Sequence, residues 1–340
     1  MERGSTPGAR GRRRILSAAL GLGLVTGLAW VAPTPATAAD TGNRAPFVLA
    51  DPFYSGSTVT RYCLKLAYDP ATISYKAVGA ACSPDGVGTA SQWYLTPLAA
   101  YPGYVQLESA LLVGYCVEDL STSTTPWLRR CAAGTAGQRW SIAPAGDEVS
   151  LQSARSGRYL DVNGLSVSIV TSHQTQLLVP SGTANIQFRS VYSGKCMDVD
   201  NNPGGTRVQQ WTCLGAAQAN QLFHVIPSGW SDSTSYPVYL APRHTSGWGI
   251  QPDCTAKTSC PENRTPLVID SLTGSLIAPW HIRLAAWNAD GLRFQLVNYL
   301  YDTCADLRAE GAGRDDGTVI QEWECLGTNK LNQLWRITVP

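Results

Sequence analysis

"NQLWRITVP", residues 332–340, recurs with small changes as "NQLFHVIP" at 220–227, "GQRWSIAP" at 137–144 and "SQWYLTP" at 91–97. Weaker copies are "TQLLVP" at 175–180 and "APWHI" at 278–282. A motif of Gln, any residue, then an apolar residue ends at Tyr94, Trp140, Leu178, Phe223, Trp280 and Trp335, with gaps of 38 to 57 residues. Self-similarity at this spacing signals a repeat architecture.

A second marker precedes each copy: "YCLKL", "YCVEDL", "RYLDV", "KCMDV", "GWGIQPDC" and "TCADL". Between markers, short β-branched or alternating runs are punctuated by Gly, Pro, Asn and Asp, which predicts strands of about five residues joined by turns. No segment has an amphipathic helical period. Repeats of this length also suit propeller blades, but blades bury continuous apolar strands, whereas these repeats hold little apolar sequence and nearly all carry their own cysteine pair. An all-β chain is therefore expected, with three repeats in residues 44–180, three in 184–340, and "SGTAN" (181–185) as the join.

A chain of 340 residues suits two domains. Residues 1–39 read as a secretory signal peptide: a basic "GARGRRRIL", an apolar "ILSAALGLGLVTGLAWVA", then small residues in "ATAAD". The apolar run is also long enough to compete as a membrane anchor, and the arginine pair permits twin-arginine export. Removing this segment deletes Glu2 and five arginines, so the formal charge falls from +1 to −3. A near-neutral secreted protein argues against a nucleic-acid partner. Ten cysteines in an exported chain predict a disulfide framework. Sequence neighbours pair as Cys63–Cys82, Cys116–Cys131, Cys196–Cys213, Cys254–Cys260 and Cys304–Cys325. Zinc ligation lacks its C-x-x-C spacing, and no metal or cofactor motif stands out.

"DVDNNPGGTRVQ" (198–209) mimics the start of a calcium loop, but its sixth position is Pro203 where glycine is needed, and its twelfth is Gln209 where a bidentate Glu is needed. A hairpin reading fits better. If Cys196 and Cys213 oppose each other, Asp198 falls opposite Trp211 and Asp200 opposite Gln209. Asp198, Gln209 and Trp211 then share one face, because side chains two apart point the same way. The same construction sets Asp306 opposite Trp323 and Arg308 opposite Gln321. A carboxylate, an indole and an amide suit a neutral sugar: an acceptor for vicinal hydroxyls, a plane for the C–H face, and a further hydrogen-bonding group.

These motifs resemble the ricin B-chain-like lectin family, a β-trefoil of three Gln-x-Trp repeats. The resemblance implies two tandem β-trefoil domains, strong over 184–340 and worn over 44–180. It implies carbohydrate-binding sets Asp198, Gln209, Trp211, Asn220 and Gln221, and Asp306, Gln321, Trp323, Asn332 and Gln333. It also gives galactose-type or xylan-type ligands as the expected range. Gln221 and Gln333 equally suit a backbone brace, and Asp198 and Asp306 a turn cap. The other repeats depart from the pattern: Lys65 replaces the Asp of the first, Glu118 faces Arg129 as an ion pair in the second, the third keeps only Asp161, and the fifth lacks the set.

Three functions are weighed. A secreted lectin-like binder without catalysis accounts for both complete repeats. A glycosidase needs two carboxylates within about 5–10 Å, and each complete repeat offers one. A trefoil that binds protein, as an inhibitor or the cell-binding component of a toxin or enzyme complex, would use residues 44–180. No membrane partner is expected once the signal is removed.

Overall fold

The computed structural model describes residues 44–51, 61–82, 89–182, 185–201, 205–228, 236–254, 262–273, 278–288, 290–308 and 313–340. The signal-peptide reading of 1–39, and the Asn202 and Pro203 turn, lie outside these residues.

Among the described residues, every regular element is a strand or a short 3₁₀ turn. The first sheet runs β1 (Phe47–Ala50), β2 (Tyr62–Asp69), β3 (Ser74–Ala81), β4 (Trp93–Pro97), β5 (Val105–Ser109), β6 (Tyr115–Glu118), β7 (Trp127–Arg130), β8 (Trp140–Ala145), β9 (Glu148–Ser153), β10 (Tyr159–Asn163), β11 (Ser166–Val170) and β12 (Gln176–Pro180). The second runs β13 (Gln187–Ser190), β14 (Cys196–Val199), β15 (Val208–Trp211), β16 (Phe223–Pro227), β17 (Val238–Pro242), β18 (Trp248–Pro252), β19 (Thr265–Ser271), β20 (Trp280–Asn288), β21 (Gly291–Asn298), β22 (Thr303–Leu307), β23 (Ile320–Glu324) and β24 (Trp335–Thr338). Four successive strands make one repeat: a leading strand, a hairpin and a closing strand.

The hairpins of each sheet bond to one another in a closed triangle. In the first, Ala77 N donates to Pro126 O (3.0 Å), Ile169 N to Thr124 O (2.7 Å) and Gly79 N to Leu165 O (3.3 Å). The last approach requires glycine: a Cβ on Gly79 would stand 2.1 Å from Gly164 O. In the second, Ile269 N donates to Thr206 O (2.8 Å), Arg264 N to Glu322 O (2.9 Å) and Gln210 N to Thr318 O (2.9 Å). This is the threefold hairpin cap of a β-trefoil.

The closing strands begin at Trp93, Trp140, Gln176, Phe223, Trp280 and Trp335, all fully buried. Five of these six donate a side-chain N–H to the carbonyl of the equivalent hairpin residue: Trp93 to Leu64, Trp140 to Val117, Gln176 to Leu160, Trp280 to Ile250 and Trp335 to Ala305, at 2.8–3.1 Å. Phe223 has no donor to offer. Two expected positions are therefore corrected. Tyr94 and Leu178 are not the motif's core residues: in the first repeat Trp93 follows a 3₁₀ turn ending at Ser91, and in the third the motif runs Gln174-x-Gln176. The buried carbonyl needs a donor, and those two residues supply it.

Four predicted disulfides are present, with Cα separations of 5.0–5.1 Å. Cys254 is also disulfide-bonded, and Cys260 lies outside the described residues. The two sheets touch directly. Trp287 Nε1 donates to Ile142 O (2.8 Å), Phe47 stacks on Phe294 with centroids 5.4 Å apart, and Asp147 binds both His281 and Arg283.

Candidate functional site

The expected hairpin register is corrected by two residues in each case. Cys196 faces Trp211 and Asp198 faces Gln209; Cys304 faces Trp323 and Asp306 faces Gln321. Asp200 bonds through its N–H to Arg207, and Arg308 to Val319, rather than either standing opposite a glutamine. The second cysteine lies beyond the strand, where the chain turns back to reach its partner diagonally. A slide of two preserves the face of every side chain, so Asp198, Gln209 and Trp211 still converge.

Asp198 is 4% exposed and closely held. Its Oδ1 accepts from Gln209 Nε2 (3.2 Å), and its Oδ2 accepts from Asn220 Nδ2 (2.9 Å) and Gln221 Nε2 (3.0 Å). Asn220 Nδ2 also donates to Val199 O (2.8 Å). Burial pushes the Asp198 carboxyl above its usual range, the three amides pull it back, and the charge of Asp200 adds to the rise. Above it opens a cavity of about 440 Å³ walled by Asp198, Arg207, Gln209, Trp211, Asn220 and Gly317, among others. Trp211, 39% exposed, offers an aromatic plane at its edge.

The last repeat builds the same arrangement. Asp306 Oδ1 accepts from Gln321 Nε2 (3.2 Å) and Oδ2 from Asn332 Nδ2 (2.7 Å), with Trp323 half-buried alongside. Burial, only partly offset by hydrogen bonds from Gln321, Gln333 and Asn332, pushes Asp306 up to about 6.

The second glutamine of each set has a backbone task as well. Gln221 Nε2 donates to Thr212 O (3.0 Å) while its Oε1 accepts from Leu214 N (2.9 Å); Gln333 does the same with Glu324 O (2.9 Å) and Leu326 N (2.8 Å). Gln138 of the second repeat matches them with Arg130 O (2.9 Å) and Ala132 N (2.7 Å).

In that second repeat the expected Glu118–Arg129 pair is absent. Glu118 faces Trp127 and instead binds Arg155 (3.4 Å) and Gln138 (3.0 Å). Gly137 stands where Asn220 stands, and a Cβ there would meet Arg155 Nε at 2.9 Å, so Arg155 occupies the space above the carboxylate. Lys65 is exposed opposite Val78. Asp161 faces Ser168, its carboxyl raised by burial and by the charge of Asp51.

Arg207 and Gly317 are among the members of the cavity wall that carry no signature in the sequence. Arg207 Nη2 donates to Gln209 Oε1 (3.0 Å), which turns the amide N–H of Gln209 toward Asp198. Gly317 comes from the neighbouring hairpin. Its loop is anchored by Gln210 Nε2 to Asp315 O (2.8 Å), and by Asp316, which accepts from Thr212 N (2.8 Å) and Lys195 Nζ (2.6 Å).

A buried carboxylate fanned by amides beside an exposed indole defines a polar, small-ligand pocket on a trefoil cap. Residues 89–177 match the family described as "Ricin-type beta-trefoil lectin domain-like"; they span the second and third repeats rather than the two complete ones. No curated protein sequence matches the chain. Among solved structures, the chain is similar to a mosquitocidal holotoxin (12% identity, 86% of this chain and 34% of that one, TM-score 0.33). It is also similar to the Macrolepiota procera ricin B-like lectin in complex with lactose (18%, 46% and 96%, TM-score 0.35). A third is the agglutinin from Abrus precatorius (14%, 87% and 97%, TM-score 0.33). The chain thus spans about a third of the length of the holotoxin.

Proposed function

We propose that this chain is a secreted carbohydrate-binding protein built as two tandem trefoils, residues 44–180 and 184–340, with sugar sites in the fourth and sixth repeats and no catalysis of its own. The observation that carries this reading is the Asp198 pocket. One buried carboxylate is held rigid by three amides, an indole lies at the rim, and the cavity between them is large enough for a saccharide. The carboxylate accepts hydrogen bonds from two hydroxyls, and Trp211 covers the apolar face of the ring. Galactose-type and xylan-type sugars are the starting range. Each site alone binds weakly, with dissociation constants on the order of millimolar, and two sites on one polymer raise avidity by about 10² to 10⁴.

A glycan array with wild type and an Asp198→Ala, Asp306→Ala double variant tests this. Binding by the wild type and loss in the variant are expected; no binding by the wild type, or equal binding by both, refutes it. Release of reducing ends from a bound polysaccharide would refute the binding-only reading.

Protein binding through residues 44–180 is the second reading, favoured by apolar side chains left in solvent there: Ile73 is 80% and Val113 71% exposed. An Ile73→Asp, Val113→Asp variant that keeps glycan binding but loses association with a co-secreted partner supports it.

A further inference from the structure

Gly317 and Arg264 hold the same place in successive hairpins. Gly317 N donates to Gln210 O and Arg264 N to Glu322 O, both at 2.9 Å, and both residues are left-handed, with φ of 83° and 77°. Gln210 and Glu322 are themselves equivalent, each preceding the tryptophan of its set. Gly317 leaves the rim of Trp211 open. Arg264 instead carries its guanidinium to 5.7 Å from the centre of the Trp323 ring, at the outer reach of a cation–π contact. A left-handed conformation strains any residue with a Cβ and leaves glycine unstrained.

The rest of the rim differs in the same sense. Two residues past the buried carboxylate, the fourth repeat has Asp200 and the sixth Arg308. At the start of the 3₁₀ turn that carries the Asn–Gln pair, Gln218 lines the fourth-repeat cavity, and the sixth has Lys330. Among the described residues, Arg207, replaced by Val319, runs the other way. Arg264, Arg308 and Lys330 are all exposed. Glu322 and Glu324 alternate onto the opposite strand face from Gln321 and Trp323. Among these described residues, the fourth-repeat rim thus has one Asp and one Arg, and the sixth two arginines and a lysine.

Resting on the carbohydrate reading above, we propose that the sixth-repeat site selects an anionic saccharide, a uronate or a sulfate ester. Asp306 takes hydroxyls, and Arg264 takes the anionic substituent at the edge of Trp323. The fourth-repeat site keeps neutral sugars. A neutral sugar entering the sixth site must displace Arg264 from the indole and gains nothing from it; an anionic sugar recruits the guanidinium in a charge-assisted bond.

The test uses the full chain with Asp198→Asn to silence the fourth repeat, titrated calorimetrically with a neutral galactose oligomer, an oligogalacturonate and a sulfated galactose oligomer. The anionic ligands should bind about tenfold more tightly than the neutral one at low salt, with the margin shrinking as salt rises. Arg264→Gly, which restores the residue found at 317 and relaxes the backbone, should lower anionic affinity about tenfold and raise neutral affinity; Arg264→Lys should keep part of the anionic preference. Opposite movements exclude a merely structural role. The uronate and sulfate arms distinguish the two anion sources. Equal affinity for neutral and anionic ligands, or an unchanged preference in Arg264→Gly, overturns the proposal and leaves the carbohydrate reading standing. Binding of no saccharide by the wild type overturns both.

Discussion

Asp198 and Gln209 face each other across β14 and β15, and their side chains meet at 3.2 Å; Asp306 and Gln321 repeat this pairing at the same distance across β22 and β23. Each carboxylate is thereby fixed in orientation, and that of Asp198 lines the cavity. Asp198→Asn should cost about 1–3 kcal/mol of sugar binding at the fourth repeat, since one amide would then face another donor. Asp200→Ala, on the cavity wall but outside this amide fan, should change affinity less than about twofold. Isothermal titration with each variant decides the matter, and comparable losses in both would contradict the assigned role of Asp198.

Binding and stability should respond to pH in opposite directions. Asp306 titrates at about 6 and must be ionised to accept hydroxyls, so affinity at the sixth repeat should fall as pH drops from 7 to 5. A carboxyl raised by folding contributes stability that is present below its unfolded value and lost as pH rises through the folded one. Asp198, Asp161 and Glu322 are shifted in the same direction as Asp306. The thermal midpoint should therefore rise between pH 8 and 5. Below about pH 4 it should fall again, as Asp119 and Asp147, held low against their burial by Ser156 and by His281 respectively, become protonated. Parallel calorimetric and binding profiles across this range would expose a common trend if one existed.

Removing an indole N–H from the core should be felt as an unsatisfied carbonyl. Trp335→Phe leaves Ala305 O without its donor and should cost about 1–3 kcal/mol in denaturant unfolding. Phe223→Leu removes no such bond, so any cost there comes from packing alone.

Asp147 holds His281 and Arg283 across the two sheets, and Arg283 also reaches Asp302 at 3.0 Å. Asp147→Ala leaves the buried His281 and the half-buried Arg283 without it and should destabilise the contact by about 1–3 kcal/mol. The expected calorimetric signature is a broadened or split transition, the two halves melting apart. A single transition of unchanged width would mean that Trp287 and Phe47 suffice.

Much of this is legible in the sequence, because side-chain alternation survives a two-residue slide. Asp198, Gln209 and Trp211 therefore share a face in either register. Cysteine spacing could not fix the register itself: a directly opposed pair and a diagonal one reached by a turn both satisfy the short Cα separation of a disulfide. Tyr94 and Leu178 stand one and two residues past the core positions Trp93 and Gln176 for a related reason. A three-letter motif slides by a residue or two where its glutamine is lost or doubled, as in "SQWY" and "HQTQLL", and only the buried carbonyl on the facing hairpin identifies the residue that serves it. Arg207 and Gly317 carried no local mark. One acts through the amide of Gln209, and the other arrives from more than a hundred residues away.

The triangle of hairpins makes that last point general. Because the turn of one hairpin walls the pocket of the next, a repeat lifted out of the chain would carry half a binding site. On the proposed carbohydrate reading, a substitution in one repeat would change specificity in its neighbour. The smallest piece of this protein that could be duplicated, grafted or evolved as a working unit is all three repeats at once.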